Sequence, residues 1–358
     1  LPDDLQGDFL IAGYFARNIA RLRPSTDGSG HKLQTLKPLM TSTHNAFRPV
    51  DIQTGPDGAL YVADWFNPII GHYQASLRHP NRDKEHGRIW RISAKGRTLA
   101  RQPPITSMTP AQLCEQLAAP MRRTRQLAKL RLMDLSAEKV LPSVQAWVDS
   151  LDPGNTRYEH NLFEAIGVFE SHEKPNRALL EKLLSAKEPL ARAYAIRVAG
   201  RWHDRLEDPL ALLAPRIEDE HPRVRMEAVL ATAAIPTAES ITVAARVTGK
   251  PMDGWTEYAF KQAVHHLEPH WRPAMEAGRL SFGSPGQLAA VLNEAGGRGA
   301  IESLKKLLQD EDLDPPTRAA AIGTILSVGN PAELRDYGLD TQQFTRSGKH
   351  QPRQHEAR

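Results

Sequence analysis

The sequence predicts a multidomain chain of β-then-α class, and three observations carry that prediction. Residues 47–93 hold short runs rich in Val, Ile, Tyr and Trp, set apart by turn-forming Gly, Pro and Asp. A Pro-rich joint, Arg101-Gln102-Pro103-Pro104, closes that region. Beyond it, Arg-x-x-Ala recurs among apolar residues at helical spacing. The boundaries that follow are strands over 1–100, a linker over 101–108, helical repeats over 109–332 and a basic tail over 333–358. That tail has few core formers and reads as disordered.

Each element has a local reason. Gly7 to Leu22 reads as a strand hairpin, FLIAGYF followed by NIARL. Val50 to Gln53, Leu60 to Asp64 and Arg88 to Ser93 are β-prone runs. Gly55-Pro56-Asp57-Gly58 joins the first two as a tight turn: Pro sets φ, and Asp-Gly supplies the positive-φ corner. Arg48, Asp51, Asp64, Asp83, His86 and Arg88 gather where these runs begin or end. Asn67 and His72 flank the long loop after Asp64 and are candidates because loops on a rigid scaffold carry function.

In the helical part, Thr109-Pro110 offers an N-cap followed by Pro at the first helical position. The repeat appears at Arg125, Arg192, Arg225 and Arg318, with Ala three residues after each. The separations are 67, 33 and 93 residues, close to multiples of a unit of 33. Several copies start after a proline, as in Asp219-Glu220-His221-Pro222-Arg223-Val224-Arg225. Such units bury their apolar faces only by stacking, which predicts a curved α-solenoid. Its mixed charges read as a solvated face, with partner binding as the rival reading.

Composition narrows the function classes. The chain holds 46 Lys+Arg and 42 Asp+Glu; residues 1–100 account for 13 and 9, leaving 33 and 33 beyond. The excess of +4 is too small and too dispersed for a nucleic-acid stripe. The single cysteine, Cys114, allows no intramolecular disulfide and no Cys-x-x-Cys-His haem attachment in this chain. On the apolar face of Leu-Cys-Glu-Gln-Leu it reads as a small core residue rather than a nucleophile. No apolar run is long enough to span a membrane. His265, His266 and His270 have poor ligand geometry, since adjacent residues point to different helix faces and Pro269 interrupts the spacing, so no metal site is assigned.

Three segments carry a family resemblance: Phe47-Arg48-Pro49-Val50-Asp51, Gly55 to Trp65 (GPDGALYVADW), and His86-Gly87-Arg88-Ile89-Trp90-Arg91 with Arg78 to Asp83 before it. They resemble the last blades of a six-bladed β-propeller of the glucose and sorbosone dehydrogenase type. The pattern is closest to the "membrane-bound dehydrogenase" proteins of planctomycetes and verrucomicrobia, which run propeller, HEAT-like helices, then a c-type haem domain. On this resemblance residues 1–100 are about two blades. A closed ring needs at least four, so the chain is expected to be a fragment. The Asp-x-x-Pro-x-Val-Arg-x-x-Ala units similarly resemble HEAT repeats.

The resemblance implies a quinoprotein-like dehydrogenase acting on a sugar or polyol. Pyrroloquinoline quinone and Ca²⁺ would be its cofactors, and a c-type haem domain or cytochrome its electron acceptor. It also implies a periplasmic, secreted or cell-surface location. Arg48 occupies the position of a cofactor-contacting arginine; His86 and Arg88 are further cofactor-binding candidates, His86 with the rival role of pairing with Asp83. Asp51, Asp64, Asn67 and His72 are candidates for the substrate or the propeller mouth, with turn capping the rival role for the two aspartates. Trp65 and Trp90 read as blade-packing aromatics. The family's lysine on an earlier strand falls near Phe15 here, with Arg17 two residues on. The family's catalytic His and main Ca²⁺ loop would lie on earlier blades, so no catalytic residue is assigned. Two rival functions are a non-catalytic propeller-solenoid module binding carbohydrate or protein, and a lactonase, which would need a convergent acidic cluster.

Overall fold

The computed structural model describes residues 2–70, 78–296 and 298–328. Its first hundred residues form two three-stranded antiparallel sheets, β1-β2-β3 and β4-β5-β6. The first comprises β1 (Phe9–Gly13), β2 (Asn18–Asp27) and β3 (Gly30–Thr41); the second comprises β4 (Pro49–Thr54), β5 (Leu60–Asp64) and β6 (Arg88–Ile92). Five of the six strands fall where the sequence places them. β3 does not: its run HKLQTLKPLMT lacks clean alternation and contains Pro38. As an edge strand it can hold a proline, because one side of its backbone needs no ladder partner. Pro24 in the central strand β2 has a different reason. β1 pairs β2 only as far as Leu22, and beyond that β2 and β3 form a two-stranded ribbon.

The Gly55–Gly58 turn forms as the sequence predicts. Gly58 takes φ +77°, and Gly55 N donates to Ala59 O at 2.8 Å. The register Thr54↔Leu60 and Leu60↔Ile92 then sets one end of the second sheet, and Pro49↔Asp64↔Arg88 sets the other. Both sheets leave large apolar side chains in the open, Phe9 at 53% and Ile89 at 75% exposure among them.

Fourteen helices follow among the described residues. They are α1 (Pro110–Leu117), α2 (Arg122–Met133), α3 (Ala137–Ser150), α4 (Tyr158–Ser171), α5 (Arg177–Leu184), α6 (Pro189–Arg201) and α7 (Pro209–Leu213). The remainder are α8 (Pro222–Ala233), α9 (Glu239–Ala244), α10 (Gly254–His266), α11 (Glu268–Glu276), α12 (Pro285–Ala295), α13 (Arg298–Leu307) and α14 (Pro315–Val328). Two compact units divide the chain, Leu1–Ala195 and the part from Ile196 on, the break falling inside α6. Thr109 caps α1 through a reciprocal capping box with Gln112.

The Arg-x-x-Ala motif has a structural meaning. Each arginine is the fourth residue of its helix, and the alanine three residues on is fully buried, as at Ala128, Ala195, Ala228 and Ala321. The arginine reaches back to the connection before its own helix. Arg125 Nη1 donates to Ala119 O and Pro120 O at 2.9 and 3.0 Å. Arg192 Nη1 does the same to Ala186 O and Lys187 O at 2.8 and 3.0 Å. Arg225 Nη1 meets Asp219 O and Glu220 O at 2.8 and 3.0 Å, and its Nη2 adds Pro251 O at 2.8 Å. Arg318, after a longer connection, takes Leu308 O and Asp310 O. Carbonyls in a connection have no ladder of their own to supply donors, and these guanidinium groups supply one.

In the first unit Cys114 is fully buried in α1, and burial pushes its thiol up to about 12, as expected of a core residue. Glu164 of α4, also buried, meets Arg125 at 2.9 Å, Lys129 and His160. In the second unit Gly200 lets α8 approach α6 closely, since a Cβ there would lie 2.9 Å from Ala231 Cβ. Trp271 is fully buried and donates from Nε1 to Val264 O at 2.9 Å.

Candidate functional site

The Pro49–Asp64–Arg88 end of the second sheet gathers several of the predicted residues around Asp64. The carboxylate is 3% exposed and accepts three hydrogen bonds. Arg48 N and Phe66 N donate to Oδ1 at 2.7 and 3.0 Å, and Trp90 Nε1 donates to Oδ2 at 3.0 Å. Asp64 therefore locks the end of the sheet, with its lone pairs largely committed to the chain. Trp90 also packs edge-on to Phe47, at 6.3 Å between ring centres.

Arg48 is the most buried cation of the β region, 6% exposed. Its Nη1 donates to Phe47 O at 3.1 Å, and its guanidinium lies 6.0 Å from the Tyr14 ring centre. Its Nε is buried and meets no acceptor. Burial, and after it the charge of Arg17, pull its pKa below the usual arginine value. Tyr14 is shifted upward by burial, opposed by the positive charges of Arg48 and Arg82. The charge of Arg17 thus reaches Arg48, and that of Arg82 reaches Tyr14. Trp65, half in the open, stacks on the other neighbour of this group, 6.0 Å from Tyr14 with the planes 18° apart.

Backbone strain marks the same place. Arg17 and Phe66 take φ +53° and +52°, a left-handed conformation that bulky side chains rarely adopt. In this pose Phe66 stands between His44, stacked at 5.5 Å, and the Arg88 guanidinium, 3.6 Å from its ring centre. Arg88 is thus a cation held on an aromatic face at the rim of a shallow recess with Val50, Ala63, Asp64, Trp65 and Ile89.

The other predicted residues have local roles. Asn67, 1% exposed, donates from Nδ2 to Asp83 O and accepts from Ile69 N, both at 3.1 Å, which pins the loop. His86 pairs through Nδ1 with Asp83 at 3.0 Å on the surface, the pairing that the sequence set beside cofactor binding. Asp83 is held below the usual carboxylate range first by Glu85 N and then by His86 N. Asp51 is exposed and accepts from Ile52 N at 2.8 Å and from the Gln53 amide, outside the set of donors around Asp64. His72 lies outside the described residues. Tyr14, Arg17, His44, Phe66 and Arg82 complete the group without having been singled out as site candidates. Tyr14 and Arg17 belong to a hairpin tip more than 30 residues from Arg48, and a left-handed Phe leaves no trace in sequence.

Among the described residues no three His, Cys, Asp or Glu side chains converge as a metal set. No helix among them is long and apolar enough to cross a membrane.

Comparison with known proteins bears mainly on the helices. Residues 176–264 match the family described as HEAT repeats. This stretch is a HEAT-like repeat region. Its span runs from α5 to α10, and so includes the repeat units of Arg192 and Arg225. Residues 1–96, which contain both sheets, match a domain of unknown function, DUF7133. The comparison with curated proteins finds no match. Among solved structures, an engineered protein aligns at 15% identity over 61% of this chain and 96% of its own, with a TM-score of 0.29. A likeness that weak carries no argument about fold or function.

Proposed function

We propose that the two sheets are blades of a dehydrogenase-type β-propeller, and that the cluster around Arg48 holds a carboxylate of a quinone cofactor. The observation that carries this reading is Arg48 itself: nine-tenths buried, with an Nε lacking an acceptor and with the charge of Arg17 acting on it. Clustered cations in a poorly hydrated place repel one another, and an anion relieves the repulsion. Arginine suits a carboxylate because its planar fork matches two oxygens. Arg48, with Arg17 adding positive charge, would therefore hold one carboxylate of pyrroloquinoline quinone. That group would supply a hydride acceptor for an alcohol carbon of a sugar or polyol. Asp64 keeps the Arg48 backbone in place, and the rings of Tyr14, Trp65 and Phe66 limit water at the cluster. On this reading electrons leave to a c-type haem acceptor and the protein works in the periplasm or at the cell surface. The exposed apolar sheet faces support it as well, since a propeller blade buries both faces against its neighbours.

A second reading has its own observation. Trp65 presents an open face over Tyr14, a platform on which a sugar ring can stack with no redox step. The complete protein, loaded with pyrroloquinoline quinone and Ca²⁺, should reduce an acceptor dye with at least one aldose or polyol. Arg48→Ala should weaken cofactor affinity by about 1.5–3 kcal/mol. Sugar binding without dye reduction would replace the first reading by the second.

A further inference from the structure

The opposite end of the second sheet carries a different set of groups. Beside Thr54, Gly58 and Ser93 a cavity of about 860 Å³ opens toward the start of α2. β5 is five residues long, which puts this cavity roughly 15 Å from the Asp64 end of the sheet. The connection into the helices is fastened beside it, by Ala100 N to Asp57 O at 2.9 Å and by Arg123 Nη1 to Thr54 O at 3.1 Å.

Its charge is unbalanced. Arg122, Arg123 and Arg125 line it, with Asp8 and Asp57 the acids in the wall. Both acids are already paired with arginines from outside the lining. Asp8 meets Arg21 and, at 2.7 Å, Arg23; Asp57 meets Arg91 at 2.6 Å. These hydrogen bonds, from Arg23 and from Arg91 respectively, are the largest cause holding each carboxyl below its usual range. Arg125 is met by Glu164 at 2.9 Å. Among the described residues no carboxylate meets Arg122 or Arg123. The Nε of Arg123 is buried with no acceptor at all, although its Nη1 is bonded to Thr54 O. Buried donors are nearly always satisfied, so one left open beside a cavity asks for an acceptor from outside the chain. The first amides of α2 add donors on the same side, because Met121 at the N-cap gives no side-chain bond.

We infer that this cavity is a binding site for the oxyanion group, phosphate or carboxylate, of a small molecule, separate from the cluster around Arg48. Arg122 and Arg123 supply the charge, and Thr54, Ser93 and the α2 amides shape the rim. Because the cavity borders the fastened connection, the anion bridges the last sheet and the first helices of the same compact unit.

The test is calorimetric titration of inorganic phosphate and of citrate into the protein at fixed ionic strength, with chloride as the reference. Saturable one-to-one binding of at least one of them is expected; phosphate binding more tightly points to a phosphorylated ligand, and citrate to a polycarboxylate. Arg122→Gln, at an exposed residue with no partner among the described residues, should weaken binding roughly tenfold, the effect of losing one charge-assisted hydrogen bond. Arg123→Gln should do the same with the circular dichroism spectrum unchanged, and Arg48→Ala should leave binding intact. The inference is overturned by no saturable binding of either anion, by equal affinity in the Arg122 variant, or by loss of binding in the Arg48 variant.

Discussion

In the helical repeats Ala128, Ala195, Ala228 and Ala321 are fully buried, while in the sheets Phe9 and Ile89 stand 53% and 75% exposed. The two regions share a compositional style, short apolar elements separated by charged or turn-forming residues, yet differ in how they cover apolar surface. A helical repeat finds its cover in the next segment of sequence. A three-stranded sheet has two faces, and the described strands cover only part of them. Burial therefore follows from the local sequence in one region and is left incomplete by it in the other.

The comparison can be broken or sharpened by a graded set of variants. Trp271→Ala should cost the most, about 3–5 kcal/mol in urea unfolding, because it empties a fully buried site and frees Val264 O. A cost below 1 kcal/mol would mean that the repeats close poorly around their cores. Arg225→Ala comes next, at about 1–3 kcal/mol, since three carbonyls lose a charged donor. Arg225→Lys should recover only part of this, because one ammonium cannot reproduce the planar fork.

A smaller effect is expected at Asp57, whose pKa is lowered chiefly by the hydrogen bond from Arg91. The unfolded chain binds the proton more readily, so this pair stabilises the fold above the ordinary aspartate pKa. Its contribution disappears as pH falls through the lowered value in the folded state. Arg91→Gln should therefore reduce stability at neutral pH and flatten the acid limb of the pH profile, with wild type and variant converging at the acid end. A constant offset at all pH values would remove the electrostatic account. Ile89→Asp should change the stability of this chain least, within about 0.5 kcal/mol, because the side chain is three-quarters exposed. A loss above 1 kcal/mol would show that another surface covers the sheet in the working protein, which is what blades in a ring require.

How much of this was legible differs residue by residue. The turn at Gly58 and strands β4 to β6 follow from short-range chemistry, and the arginine repeats from a period visible without structure. β3 was hidden because its residues alternate poorly and its edge position tolerates Pro38. Arg48 could be named from its surrounding motif, but its environment could not. The groups that give it meaning, Tyr14, Arg17 and Arg82, come from a hairpin tip and a loop brought together only by folding. Asp64 was readable as a residue at the end of a strand. That it spends itself on three donors, two of them backbone amides, emerges only in three dimensions.

The arginine that reaches back over the connection before its helix has a consequence for how such a region changes over time. For Arg125, Arg192 and Arg225 the span it closes is five or six residues, so the fastening is encoded within the segment it fastens. A copied or deleted repeat carries this fastening with it, whereas the further bonds of Arg225 to Pro251 O and of Arg125 to Glu164 reach the next units. The same locality keeps sequence separation between partners small, which favours rapid folding. The length of the helical region can thus drift by whole units, whereas in the sheets each strand is held by its neighbour's register and cannot be gained or lost so freely.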